Sequence, residues 1–206
     1  MMPMQNWYAP SLLSPREAGT TEATRHHTLA LLETGVSLSG SVIGPMADVV
    51  RQGTQYLSQG DLKAMTVYLQ SLSTSVALNK PVQVSTKSKD EERTLASGLK
   101  NGAAVYESNC VQCHGKVGEG KGLAYPALSG NRAVTLTNPA NLIQVVLHGG
   151  FAPSTSGNPQ PYGMPPFVLQ LNNSNIADVL TFIRNSWGNT APGVTELEVN
   201  RARDAR

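Results

Sequence analysis

The chain has 206 residues, 40% hydrophobic and 15% charged, the composition of a folded globular protein rather than a disordered one. Sixteen Lys and Arg against fourteen Asp and Glu leave a net charge of +2, so the total carries no nucleic-acid footprint. No apolar run reaches the roughly 18 residues that span a bilayer, and the opening MMPMQNWYAP has neither the basic nor the apolar region of a secretory leader.

Taken in chain order, the predicted elements fall into two weakly similar halves. An apolar helix is expected from Thr24 through LALLETG, followed by Gly44, Pro45 and Met46 and then by SQGDLKAMTVYLQSL. In that last stretch Leu62, Met65, Leu69 and Leu72 share one helical face, and Ser58 with Asp61 is placed like a capping box. Lys80 to Glu92, KPVQVSTKSKDEE, is polar, contains a proline and reads as a linker between domains. Leu95, Leu99, Gly102 and Tyr106 then recur at helical spacing, and a glycine on such a face lets a second helix approach closely.

The second half repeats the order of the first with NLIQVVLHGG, the loop YGMPPF at Tyr162 to Phe167, and NNSNIADVLTFIRNSWG. Ile176, Val179, Leu180, Ile183 and Trp187 form the apolar face of that final helix, with cap candidates at Asn172 to Ser174 and a stop at Gly188. Thr195 with Glu198 opens a short charged helix at the end of the chain. Strand signals are scarce, so the expected protein is mainly α and internally duplicated. Its expected division is a partial domain at 1–79, a linker at 80–92, a complete domain at 93–190 and a helical tail at 191–206.

The two cysteines of the chain stand three positions apart in CVQCH, as Cys110 and Cys113, with His114 next. A redox disulfide of this spacing belongs in a strand-rich thioredoxin-like setting, which the sequence lacks. A structural zinc site would need a second pair of ligands, and His26, His27 and His148 do not supply one. The remaining chemistry is covalent attachment of a c-type haem, for which C-x-x-C-H is the signature. Thiols one helical turn apart reach the two vinyl groups on one porphyrin edge, and the adjacent histidine sits under the iron as an axial ligand. The other axial position points to Met164. It stands fifty residues on, in a loop that Pro165 and Pro166 stiffen enough to present a thioether. A His/Met pair raises the reduction potential and suits an electron carrier.

Residues 93 to 190 resemble a class I cytochrome c domain: CVQCH, then GKVGEGKG, YPALSGN, the Met loop and a closing aromatic helix. The resemblance implies that the carbonyl of Pro126 accepts the proton on the second nitrogen of His114, fixing the ring. It further implies that Leu128 packs against the macrocycle and that Tyr162 joins the cofactor-binding residues. The helix of Gly102 and Tyr106 is expected to cross that of Phe182 and Trp187. Arg132 is expected either to meet a haem propionate or to be a solvated surface arginine. Pro165, Phe167 and Phe151 are candidates for an apolar rim around an exposed haem edge, or for loop packing.

The wider chain is similar to the three-haem cytochrome c subunit of membrane-bound periplasmic dehydrogenases that act on alcohols, aldehydes, gluconate, sorbitol or nicotinate. NWYAPSLL, LLETG, GPMADVV and QYLSQGDLKAMTVYLQSL carry that likeness in the first half; MPPF, NNSNIADVLTFIRNSWGN and APGVTELEV carry it in the second. It implies electron transfer without catalysis of its own, with a dehydrogenase catalytic subunit as donor and a quinone or terminal oxidase as acceptor. It also implies a periplasmic site, at the outer face of the cell membrane through partner subunits. The alternatives are a haem enzyme or sensor with a displaceable Met, and a module in which CVQCH is a redox switch or metal clip.

On that template residues 1 to 75 match the C-terminal part of a second haem domain, with Met46 where its sixth ligand would lie. The first half has no CxxCH, so one haem c is expected in this chain and a second only where an upstream CxxCH is supplied. Met46 is either a ligand in a longer protein or a buried apolar side chain. Covalent haem attachment without a leader implies a sequence that is incomplete at its N-terminus. His26 and His27 point about 100° apart on a helix, cannot both be ligands, and are expected at the surface.

Overall fold

The computed structural model describes residues 7–74 and 89–204. These divide into two units, one comprising 9–74 with 151–163 (the front unit), the other 7–8, 89–150 and 164–204 (the back unit). The segment 151–163, expected within the second domain, thus groups with the first. Most of the linker expected at 80–92 lies outside the described residues, but its last four positions begin a helix at Lys89.

In the front unit, α1 (Arg25–Thr34) ends at Gly35, whose φ of 80° suits a left-handed cap. A short hairpin follows, β1 (Val36–Ser37) against β2 (Gly40–Ser41), antiparallel with Val36 opposite Ser41. Pro45 at the first turn starts α2 (Pro45–Gln52), where a missing N–H costs nothing. A 3₁₀ turn at Thr54–Tyr56 leads to α3 (Gln59–Thr74). The capping box expected there is formed: the Asp61 amide donates to Ser58 Oγ at 3.1 Å and Ser58 Oγ donates to Asp61 Oδ2 at 2.6 Å. Val50 and Leu62 are the unit's most deeply buried apolar side chains.

The back unit is built on α4 (Lys89–Asn109), α5 (Val111–His114), α6 (Arg132–Thr135), α7 (Ala140–His148), α8 (Asn173–Arg184) and α9 (Glu196–Asp204). Two-residue strands β3 (Gly150–Phe151) and β4 (Gly163–Met164) pair where the chain leaves and re-enters the unit. The α4–α8 crossing passes through Gly102 as expected: a Cβ there would lie 2.1 Å from the Asp178 carbonyl oxygen and 2.7 Å from Phe182 Cβ. Tyr106, Ile143, Leu147, Ile176, Leu180 and Val199 centre the core.

Asn172 caps α8 by accepting from the Asn175 amide at 2.8 Å, and Thr195 with Glu198 forms the box that opens α9. The end of α8 departs from expectation. The helix stops at Arg184, four residues before Gly188, and Trp187 lies beyond it with φ 56°. Trp187 still meets the aromatic cluster, its ring centroid 5.0 Å from that of Tyr106 and 5.4 Å from that of Phe182. Helical periodicity therefore placed it on the right face although the backbone reaches it by another path. The described chain is mainly helical, with strands of only two residues.

Candidate functional site

Cys110 ends the run of α4 and caps α5. Its amide donates to the Tyr106 carbonyl at 2.8 Å, while the amides of Cys113 and His114 both return to the Cys110 carbonyl, at 3.2 and 2.9 Å. This single helical turn holds both thiols and the imidazole in fixed register. Both thiols are free and partly buried. Burial first, and then Cys113, pushes the Cys110 thiol up to about 11. Such a group is protonated at neutral pH, the opposite of the lowered pKa that marks a reactive redox cysteine.

His114 Nδ1 donates to the Pro126 carbonyl at 2.9 Å. A carbonyl cannot donate, so Nδ1 carries the proton and Nε2 is left with its lone pair. Burial lowers the pKa of His114, the Pro126 bond opposes that shift, and the neutral ring a metal ligand requires is favoured. Glycines make this approach possible. Gly120, at φ 67°, donates its amide to the His114 carbonyl at 2.8 Å, and a Cβ on it would stand 2.4 Å from the Tyr125 carbonyl oxygen. Tyr106 Oη donates to the Gly115 carbonyl at 2.7 Å and fixes the exit from α5. Burial raises the Tyr106 pKa, with smaller contributions from Cys110, Glu119 and Glu107.

Three residues that sequence reasoning did not assign hold the Pro126 side of the site. Asn189 is 6% exposed and ties the chain after α8 to the loop after Pro126. Its Nδ2 donates to the carbonyls of Leu128 (3.0 Å) and Ile183 (2.9 Å), and its Oδ1 accepts from the Gly130 amide at 2.9 Å. Ser129 Oγ donates to the Trp187 carbonyl at 3.1 Å. Gly118 accepts from the amides of Leu128 and Ser129 at 2.7 and 2.9 Å, and the Trp187 ring occupies the space where its Cβ would stand. The available signal was SWGN itself, in which a tryptophan, a glycine and an asparagine follow a helix as turn residues do.

Met164, in β4, is partly buried and packs against the back-unit core, as do Cys110 and Leu128. Its loop is fastened to the end of α7. The amides of Phe167 and Val168 donate to the Val146 and Leu147 carbonyls at 3.0 and 3.1 Å, and a Cβ on Gly149 would stand 2.3 Å from the Met164 carbonyl oxygen. The structure thus gathers Cys110, Leu128 and Met164 around one core and joins Pro126 to His114. Tyr162 is 62% exposed and belongs to the front unit. Phe167, a candidate rim residue, is a core residue at 8% exposure, whereas Phe151 and Pro165 are exposed. Arg132 is partly buried rather than freely solvated, and burial lowers its pKa. Met46 is 40% exposed on the first turn of α2, so the expectation of a buried side chain is corrected. Met46 also sits in a helix where Met164 is extended, so the two halves differ locally at the methionines that the duplication pairs. His26 is exposed and His27 partly so.

Among the described residues no group of three or more His, Cys, Asp and Glu could hold a metal ion. The donor set fits a covalently held haem: two thiols one turn apart, an imidazole whose Nδ1 is engaged by a carbonyl, and a thioether on a fastened loop. Among the described residues no helix is long and apolar enough to cross a membrane.

The sequence model of the cytochrome c family matches residues 99–187. The chain is 37% identical, over 98% of its length, to the cytochrome c subunit of a quinone-dependent alcohol dehydrogenase from Gluconacetobacter polyoxogenes, of which the alignment covers 43%. It is 32% identical, over 92% of its length, to the gluconate 2-dehydrogenase cytochrome c subunit of Pantoea cypripedii, again 43% covered. It is 26% identical, over 96% of its length, to the fructose dehydrogenase cytochrome subunit of Gluconobacter japonicus, 44% covered. The chain spans less than half the length of these curated relatives. CVQCH and its fastened loops thus lie inside the stretch, residues 99–187, that matches the cytochrome c family.

Proposed function

We propose that the chain relays single electrons through one haem c held by Cys110 and Cys113, with His114 and Met164 as axial donors. The observation that carries this is the 2.9 Å bond between His114 Nδ1 and the Pro126 carbonyl, which leaves Nε2 free to face iron. When bound, the haem supplies a one-electron couple. The chain's own residues do the rest. Pro126 fixes the imidazole and makes it a stronger donor, Leu128 packs beside the macrocycle, and the Val146 and Leu147 carbonyls hold the loop that presents the thioether. With His114 and Met164 both holding the haem iron, no position would be left for a substrate, and the chain would pass electrons without changing bonds itself.

The names of the relatives support a dehydrogenase catalytic subunit as electron donor, one that oxidises an alcohol or gluconate; the acceptor in this reading is a quinone or terminal oxidase. A site in the periplasm at the outer face of the cell membrane follows from that partnership. In a longer protein with an upstream CxxCH, Met46 would ligate a second haem; its exposure leaves the sulfur accessible.

The test is Met164→Ala in the full chain, expressed with cytochrome c maturation machinery. The wild type is expected to gain the mass of one haem and to show the charge-transfer band of thioether-ligated ferric haem. The variant is expected to keep the haem and lose the band. An unchanged spectrum overturns the assignment.

A further inference from the structure

The last helix of the back unit, α9, lies beyond residues 99–187, and the relay proposed above gives it no task. It is nevertheless built into the unit. Thr181 Oγ1 donates to the Val194 carbonyl at 3.3 Å and accepts from the Val194 amide at 2.9 Å, which ties the approach to α9 against α8. Val199, fully buried, seats α9 in the core, and Ala202 packs against the same cluster. Arg203 stands four residues after Val199, so it shares that face of the helix, and it is partly buried.

The guanidinium of Arg203 spends all three nitrogens on one short stretch of chain. Nη1 donates to the Val168 carbonyl, Nη2 to the Leu171 carbonyl at 2.8 Å and Nε to Asn173 Oδ1 at 2.7 Å. Asn173 Nδ2 donates in turn to Asn200 Oδ1 at 2.9 Å, so α9 holds the first residue of α8 from two positions. The stretch begins four residues after Met164. Val168 is gripped on both sides, its amide by the Leu147 carbonyl of α7 and its carbonyl by Arg203. Inside the stretch the Leu171 amide returns to the carbonyl of buried Phe167 at 3.0 Å. Between this anchor and Met164 lie only Pro165, Pro166 and Phe167, and each proline ring fixes its own φ. A connection with so few free torsions carries the position of its anchor to Met164. The planar fork of an arginine suits several fixed acceptors at once, which the single nitrogen of a lysine does not.

We propose that Arg203 is a positioning residue for the sixth ligand: by pinning Val168, Leu171 and Asn173 to α9, it keeps the Met164 loop from lifting and so sets how readily the thioether is displaced. The inference rests on the reading of Met164 as the axial donor. It gives the charged helix at the end of the unit a role that acts through the loop.

The experiment titrates imidazole into the full haem-loaded chain in its ferric state and follows loss of the thioether charge-transfer band. Arg203→Met removes all three bonds and keeps an apolar stem. The imidazole concentration for half-displacement is expected to fall about 2- to 10-fold, the equivalent of one net hydrogen bond. Arg203→Lys keeps the charge without the fork and is expected to lower the midpoint by a smaller factor; it decides the matter if Arg203→Met loads no haem. Asn141→Ala breaks two side-chain bonds to the Tyr8 backbone at the opposite end of α7 and is expected to leave the midpoint within about twofold. A wild-type midpoint in Arg203→Met overturns the proposal, as does an equal fall in Asn141→Ala, which would mark general loosening. Loss of the band in Met164→Ala with wild-type midpoints in the Arg203 variants defeats only this inference, whereas an unchanged Met164→Ala defeats the ligand assignment beneath it.

Discussion

Tyr106 sits one helical turn before CVQCH, 2% exposed, with its hydroxyl given to the Gly115 carbonyl. Its pKa is raised, mainly by burial, so the folded protein keeps the phenol neutral at a pH where the unfolded chain has begun to ionise. The stabilisation is complete below the ordinary tyrosine range of about 10 and is lost as pH rises through it toward the folded value. Denaturation midpoints are therefore expected to fall steeply above about pH 10 in the wild type and less so in Tyr106→Phe. The variant should also be about 1 kcal/mol less stable at pH 7 through the lost hydrogen bond. A parallel alkaline fall in both proteins would assign the effect to another group. At this scale the sequence was most legible where contacts are local: the single turn of CVQCH and the bond of His114 to Pro126 twelve residues on follow from neighbouring residues. Asn189 and Arg184 were not legible. The first bonds residues 59 and 61 positions away. Arg184, fully buried, donates to the Val134 and Pro192 carbonyls at 2.7 and 2.8 Å. An arginine next to an apolar helical face is ordinarily read as solvated, and only tertiary structure supplies its acceptors.

Among the elements, the α4–α8 crossing depends on one absent side chain. Gly102 faces backbone atoms of Asp178, which cannot swing aside as a side-chain tip can. Gly102→Ala is expected to splay the two helices and cost about 3 kcal/mol, more than the helix propensity of alanine returns. Gly60→Ala in α3, whose nearest neighbour would be Ser58 Oγ at 3.5 Å, should be neutral or slightly stabilising. Chemical denaturation of both variants separates close approach from propensity, and equal effects would contradict the crossing. Helix faces and capping boxes were legible because they depend on residues three or four apart. The end of α8 was not: Asn185 to Trp187 continue the apolar period, and the chain turns there because Asn189 and Ser129 capture it. The start of α4 at Lys89 was hidden in the same way, by polar residues that serve a linker or an exposed helical turn equally well.

For the whole molecule, the repeated order of elements suggests two domains, whereas nothing in the sequence signals that residues 151–163 group with the front unit. That segment is rich in Gly, Pro and Ser, carries no periodicity, and lies between two elements of the other unit. Its hydrogen bond to Thr34, moreover, spans more than a hundred residues of sequence. The same threading has a consequence for dissection. A gene divided between residues 82 and 83 would not yield one fragment per unit, because the downstream piece carries residues 151–163, which group with the upstream one. The two products should behave as complementing halves, recovered together when co-expressed from separate messages. An upstream piece made by itself would bare the space beside Gly35 that the Pro153 ring fills and be the less soluble partner. Clean separation of two independently folded products in a co-purification assay would show that residues 151–163 are dispensable there.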